Sequence, residues 1–96
     1  MTPTITMLTD NKRGAFELHL NDQIVAKMTF VYAGRTKFII DHTEVNHEYN
    51  GNGYGKLLIQ KAIAFAKEKD LKIMPLCPFA KAYFDKHPEL SDVISS

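Results

Sequence analysis

The chain has 96 residues, enough for one compact domain with one core and too few for separate catalytic and regulatory domains, so a single domain over residues 1–96 is expected. Apolar residues at 45% and charged residues at 24% are the proportions of a soluble globular fold and argue against disorder. A formal net charge of +1, with Lys and Arg scattered along the chain, gives no general field for nucleic acid or an anionic membrane, which leaves only a local anion site.

The opening Met1-Thr2-Pro3-Thr4 lacks a basic segment followed by an apolar one, and no apolar run approaches the ~20 residues that span a bilayer, so no membrane and a cytoplasmic residence are expected. Three turn clusters, at residues 10–14, 21–22 and 33–35, then separate apolar runs that alternate with period two. The pattern predicts four antiparallel strands joined as hairpins, at residues 4–9, 15–20, 23–32 and 37–45. The second points Phe16, Leu18 and Leu20 to one face, and the third points Ile24, Ala26, Met28 and Phe30. On the fourth, His42 and Glu44 are two apart and are expected on the face shared with Phe38 and Ile40.

After residue 45 the period changes. Tyr54 to Lys69 carries Leu58, Ala62, Phe65 and Ala66 at helical spacing, with Lys56, Gln60, Lys67 and Glu68 elsewhere on the wheel, which predicts an amphipathic helix that covers the sheet. Residues 71–77 read as a short strand, and Pro78 suits the first position of a second helix through Ala80, Tyr83 and Phe84. A strand–helix–strand unit must cross over, so residues 37–45 and 71–77 are expected as parallel neighbours, with the loop 46–52 at a carboxyl edge. The fold class is α/β (α+β): a mixed, mainly antiparallel sheet with two helices.

Three glycines alternate in Asn50-Gly51-Asn52-Gly53-Tyr54-Gly55, directly after a strand and opening a helix. Unpaired backbone N–H groups and the helix dipole make such a place fit for a phosphate or pyrophosphate, with Lys56 as a countercharge at the rim. The other reading is a tight strand-to-helix turn. A P-loop is excluded, because three residues rather than four separate Gly51 from Gly55-Lys56 and Leu57 follows. The dinucleotide fingerprint fails too, since Lys56 stands three after Gly53.

The stretch from Glu44 through Val45-Asn46-His47-Glu48-Tyr49 to Gly55-Lys56-Leu57 resembles the acetyl-CoA motif R/Q-x-x-G-x-G/A of the GNAT superfamily, with Asn50 in the usual Arg or Gln position. With Pro75-Leu76-Cys77-Pro78-Phe79 and Tyr83 through His87-Pro88-Glu89, the likeness is to small single-domain YjdJ-type N-acetyltransferase-like proteins, over residues 10 to 94. The resemblance implies acetyl-CoA as co-substrate without a metal and an unidentified amine, on a small molecule or a protein, as acceptor. It further implies a splayed strand pair, ending at Val45 and Cys77, that admits the pantetheine arm. By the same resemblance the Val45 N–H faces the thioester oxygen, and Val45, Asn50, Gly51, Asn52, Gly53, Tyr54, Gly55 and Lys56 hold the cofactor. The turn at residues 10–14 is too short for the two helices that larger members carry after the first strand.

Acetyl transfer needs an amine made neutral and a proton for the departing thiolate. Glu44 and His42 are the candidate bases, with a solvated strand end as the plain alternative. Cys77 stands before Pro78 near a helix N-terminus, where a thiolate is favoured, and serves as proton donor, as a transient acetyl carrier, or only as a space filler. Tyr83 falls one position early for the tyrosine acid usual in the family, a rotation of ~100° on a helix. The competing function is a non-catalytic acyl-CoA-binding module.

Overall fold

A computed structural model describes residues 2–95; Met1 and Ser96, the two ends of the expected domain, lie outside the described residues. The elements are β1 (Thr4–Thr9), β2 (Arg13–Leu20), β3 (Gln23–Ala33), β4 (Lys37–Val45), α1 (Tyr54–Lys69), β5 (Lys72–Pro75) and α2 (Pro78–Asp85), with short 3₁₀ turns at His47–Tyr49 and Pro88–Val93. The five strands follow chain order in one sheet; β1 to β4 pair antiparallel and β5 joins β4 in parallel after the α1 crossover. Hairpin turns of a few residues force neighbours in sequence to be neighbours in space.

The core lies between the sheet and α1. Phe16, Leu18, Met28, Phe30, Phe38 and Ile40 from the strands meet Leu58, Ile59, Ala62 and Ala66 of the helix. Phe65 lies over Phe16, Phe30 and Phe38, at ring-centroid distances of 6.0, 6.0 and 5.5 Å. Each fully buried side chain of this size contributes about 2 kcal/mol of transfer free energy.

Two bulges reset the alternation that the sequence suggests. Leu18 pairs with Ala26 and His19 with Ile24, so Val25 is an extra residue in β3. Val25 and Ala26 are consequently buried side by side, and Ile24 is turned out to 46% exposure instead of facing the core with Ala26. On β4, Thr29 pairs with His42 and Phe30 with Ile40, which makes Asp41 the extra residue; the Thr29 hydroxyl donates to its Oδ1 at 2.7 Å. Past Asp41 the faces exchange. Thr43 and Val45 turn toward the core side, and His42 and Glu44 turn away from it, so these two do not share a face with Phe38 and Ile40 as period two predicts.

Candidate functional site

The parallel ladder between β4 and β5 runs from Lys37–Lys72 to Ile40–Pro75 and stops. Pro75 has no N–H to continue it, and the next two amides, of Leu76 and Cys77, both donate to the Ile40 carbonyl at 3.1 Å. From there the chain turns into α2, and β4 goes on through residues 41–45 with no strand beside it on that side. A wedge-shaped gap results. Which backbone groups look into it follows from the other neighbour of β4. The Asn46 amide donates to the Val25 carbonyl at 2.7 Å, and N–H directions alternate along a strand, so Asn46 and Glu44 serve β3 while the amides of Val45 and Thr43 point into the gap.

The glycine turn closes the same end of the molecule. Gly51 and Gly53 have φ of 86° and 78°, the left-handed region in which a side chain is strained, and a Cβ on either would stand in open space. Asn50 extends the chain out of the 3₁₀ turn, and the Asn52 Nδ2 donates to the Tyr49 carbonyl at 3.1 Å, which holds the loop in shape. Gly53 is the N-cap of α1 and offers no side chain to the helix. The first helical bond is Leu57 N–H to the Gly53 carbonyl at 3.1 Å, so the amides of Tyr54, Gly55 and Lys56 begin without helical partners. No acidic residue stands in this first turn, and Lys56 is exposed beside it. The arrangement presents donors and a partial positive charge to an anion.

Gly55 departs from the expected use. It is buried, and a Cβ there would meet the Phe79 ring at 2.8 Å. It allows α1 and the start of α2 to approach, and only its backbone N–H remains at the open helix start. Tyr54 is half-buried, with its ring centroid 6.2 Å from that of Tyr49.

Of the candidates for proton transfer, Cys77 is buried and caps α2. Its sulfur accepts from the Ala80 N–H at 3.4 Å and lies 3.4 Å from the Thr43 hydroxyl. The Cys77–Thr43 contact spans the gap from the α2 side to β4. Glu44 and His42 stand on the opposite face of β4, their side chains 68% and 63% exposed, with 3.5 Å between Oε2 and Nε2. Glu44 borders a cleft of about 410 Å³ formed with Ile24, Lys27, Val45 and His47 at the β3–β4 end. Tyr83 is half-buried and stacks on His87 at 4.3 Å, and His87 lies 3.1 Å from the Glu89 carboxylate. That carboxylate is held below its usual range, first by its own backbone N–H and then by His87.

Sequence reasoning missed Thr43, because period two assigns it to the wrong face; only the bulge at Asp41 brings it to Cys77. Phe79, singled out in the sequence only as part of the resemblance, gains its packing role against the small residue at position 55. Two larger openings lie elsewhere: about 600 Å³ across the face of β1–β4 turned away from α1, and about 610 Å³ between β5, α2 and the last 3₁₀ turn. Neither adjoins the free amides of the glycine turn, and volume alone does not make a site.

The comparisons with known proteins bear on family and fold. The sequence profile of a family described as GCN5-related N-acetyl-transferase matches residues 15–93. Protein NATD1 of Gallus gallus is 34% identical over 82 residues, covering 82% of this chain and 73% of that protein. A GCN5-like protein from Staphylococcus aureus, solved by NMR, superposes with a TM-score of 0.74 at 30% identity, covering 97% of this chain and 88% of that one. A GNAT family acetyltransferase from Elizabethkingia anophelis with acetyl-CoA bound shares the fold at a TM-score of 0.65 and 16% identity, over 78% of this chain and 52% of that one. With a family profile over most of its length and relatives at 30% identity or more, the chain belongs to the GCN5-related N-acetyltransferase (GNAT) family.

Proposed function

We propose that this chain, as one of the small single-domain N-acetyltransferase-like proteins, moves an acetyl group from acetyl-CoA to an amine. One observation carries the reading: the gap after Ile40 and the uncapped start of α1 lie at the same end of the sheet, so a thioester on a pyrophosphate-bearing arm finds places for both parts. The amides of Gly53 to Lys56, with Lys56 as countercharge and Asn50 and Asn52 shaping the loop, hold the pyrophosphate. The Val45 N–H, facing the gap, is placed to stabilise the oxyanion that forms when the amine nitrogen attacks the thioester carbonyl.

The bulge at Asp41 sorts the remaining roles onto two faces of β4. Glu44, assisted by His42, stands on the open face and takes the proton from the attacking amine, directly or through water. Cys77, oriented by Thr43, stands across the gap and returns a proton to the CoA sulfur as the carbon–sulfur bond breaks. Tyr83, turned toward His87, serves less directly. This division favours direct attack over an acetyl-cysteine, since an acceptor at Glu44 and a carrier at Cys77 approach from opposite sides.

Calorimetric titration with acetyl-CoA and CoA, with ATP and NAD as controls, tests the cradle; selective binding of the CoA compounds is expected, and no binding of either removes the proposal. Free-thiol release over a panel of amines tests the chemistry. Glu44→Gln is expected to lower kcat about a hundredfold and Cys77→Ala to lower it with CoA affinity unchanged; unaltered rates in both variants would remove these assignments. The exposure of Glu44 and His42 favours a second reading, an acyl-CoA-binding module without turnover, which predicts tight binding and no thiol release with any amine.

A further inference from the structure

The two edges of the sheet are treated differently. Beyond β5 the chain returns, with an Ile73–Ile94 bridge and a Ser95 N–H donating to the Ile73 carbonyl at 2.8 Å. Beyond β1 nothing pairs among the described residues. The register of β1 on β2 shows which groups are left over. The Asp10 N–H donates to the Arg13 carbonyl at 3.0 Å, and the register runs without a shift from Thr9–Gly14 to Thr4–His19. The even residues therefore bond to β2, and Ile5, Met7 and Thr9 present N–H and C=O to the free side.

Free strand edges are commonly guarded by charge, proline or a bulge. The sequence Thr-Ile-Thr-Met-Leu-Thr has no charge and no bulge, and Pro3 stands just outside it. We infer that β1 is the interface for a second copy of this chain, with two β1 strands pairing antiparallel about a twofold axis at Met7. That register pairs Ile5 with Thr9, Met7 with Met7 and Thr9 with Ile5, uses all three outward-facing residues and leaves the proline out.

The ground beside the edge is self-complementary as well. A groove of about 310 Å³ between β1 and α1 is floored by Ile5, Met7 and Phe65 and rimmed by Lys61, Glu68 and Lys69. Lys61 and Glu68 lie evenly about the groove-lining positions 64 and 65, so a twofold axis there sets Lys61 of one copy against Glu68 of the other. Lys69, already 3.8 Å from Glu68, adds a second cation to that rim. The catalytic gap lies at the other side of the sheet, beside β5, and stays open in such a dimer.

Size-exclusion chromatography with light scattering on the full chain, from micromolar to millimolar concentration, tests this. Twice the chain mass is expected for the wild type. Met7→Pro deletes an N–H that the β2 ladder does not use, so a monomer with unchanged circular dichroism is expected. Glu68→Lys, an exposed change that leaves folding alone, is expected to raise the dimer dissociation constant about tenfold through its two symmetry-related contacts. A wild type that remains monomeric throughout, a folded Met7→Pro protein that keeps the dimer mass, or a Glu68→Lys protein with an unaltered dissociation constant would overturn the interface.

Discussion

Gly14 shows how much a single residue carries. By composition it belongs to a turn cluster, but it lies within β2, where an added Cβ would stand 2.5 Å from the Phe30 ring and 2.7 Å from the Leu8 carbonyl oxygen. Phe30 is 1% exposed and the carbonyl belongs to the ladder, so neither can give way. Gly14→Ala is expected to cost about 3 kcal/mol, a fall in melting temperature of roughly 15 °C for a chain of this size, measured by thermal unfolding. Four residues earlier, Asp10 Oδ1 accepts from the Lys12 and Arg13 amides at 2.7 and 2.9 Å. These bonds, the Arg13 amide first, hold its carboxyl below the usual carboxylate range. A carboxyl depressed by folding adds stability above its unfolded value and loses it as pH falls through the folded one. Asp10→Asn is therefore expected to flatten the decline in melting temperature below about pH 4, and a decline as steep as the wild type's would show that this turn does not contribute.

At the scale of elements, alternation and helical spacing were legible: β1, β4 and α1 begin and end where the residue pattern places them. What the pattern does not contain is the bulge, because an extra residue leaves no mark in polarity when it is itself polar. Asp41 reads as an ordinary surface position, yet it decides that Thr43 meets Cys77 and that Glu44 does not. Deleting Asp41 would give plain alternation after Ile40 with the same faces, His42 and Glu44 outward and Thr43 and Val45 toward the core. What is lost is the Thr29–Asp41 hydrogen bond, so the deletion is expected to keep a cooperative transition and to cost about 1 kcal/mol, a fall in melting temperature of roughly 4–8 °C; loss of the transition in thermal unfolding would show that the bulge itself is needed to fold. The glycine turn was read from sequence as a place for positive φ, and Gly51 and Gly53 do stand in that region, at φ of 86° and 78°. Gly55 shows its second use only when Phe79, twenty-four positions on, is placed beside it.

For the whole molecule, the cradle and the gap join elements far apart in sequence: β4 and the α1 turn on one side, β5 and α2 on the other. A ligand that bridges them binds the folded chain alone and raises its stability by mass action. Acetyl-CoA at a hundred times its dissociation constant is expected to add about 2.7 kcal/mol, a rise in melting temperature of roughly 10–20 °C, with no rise from ATP at equal concentration. The acceptor was not legible, because the shape of the open face of the sheet follows from the two bulges, which leave no mark in the residue pattern.

The end of the ladder at Ile40 also has a signature in hydrogen exchange. Along residues 42–46 the amides alternate between donating to β3 and facing the gap, so deuterium uptake should follow a sawtooth: slow at His42, Glu44 and Asn46, fast at Thr43 and Val45. Such a pattern means that the strands stand apart before any ligand arrives, and the Val45 amide waits in water rather than being torn from a partner. Slowing at Val45 alone, when a thioester analogue is added, would then report occupation of the gap one amide at a time.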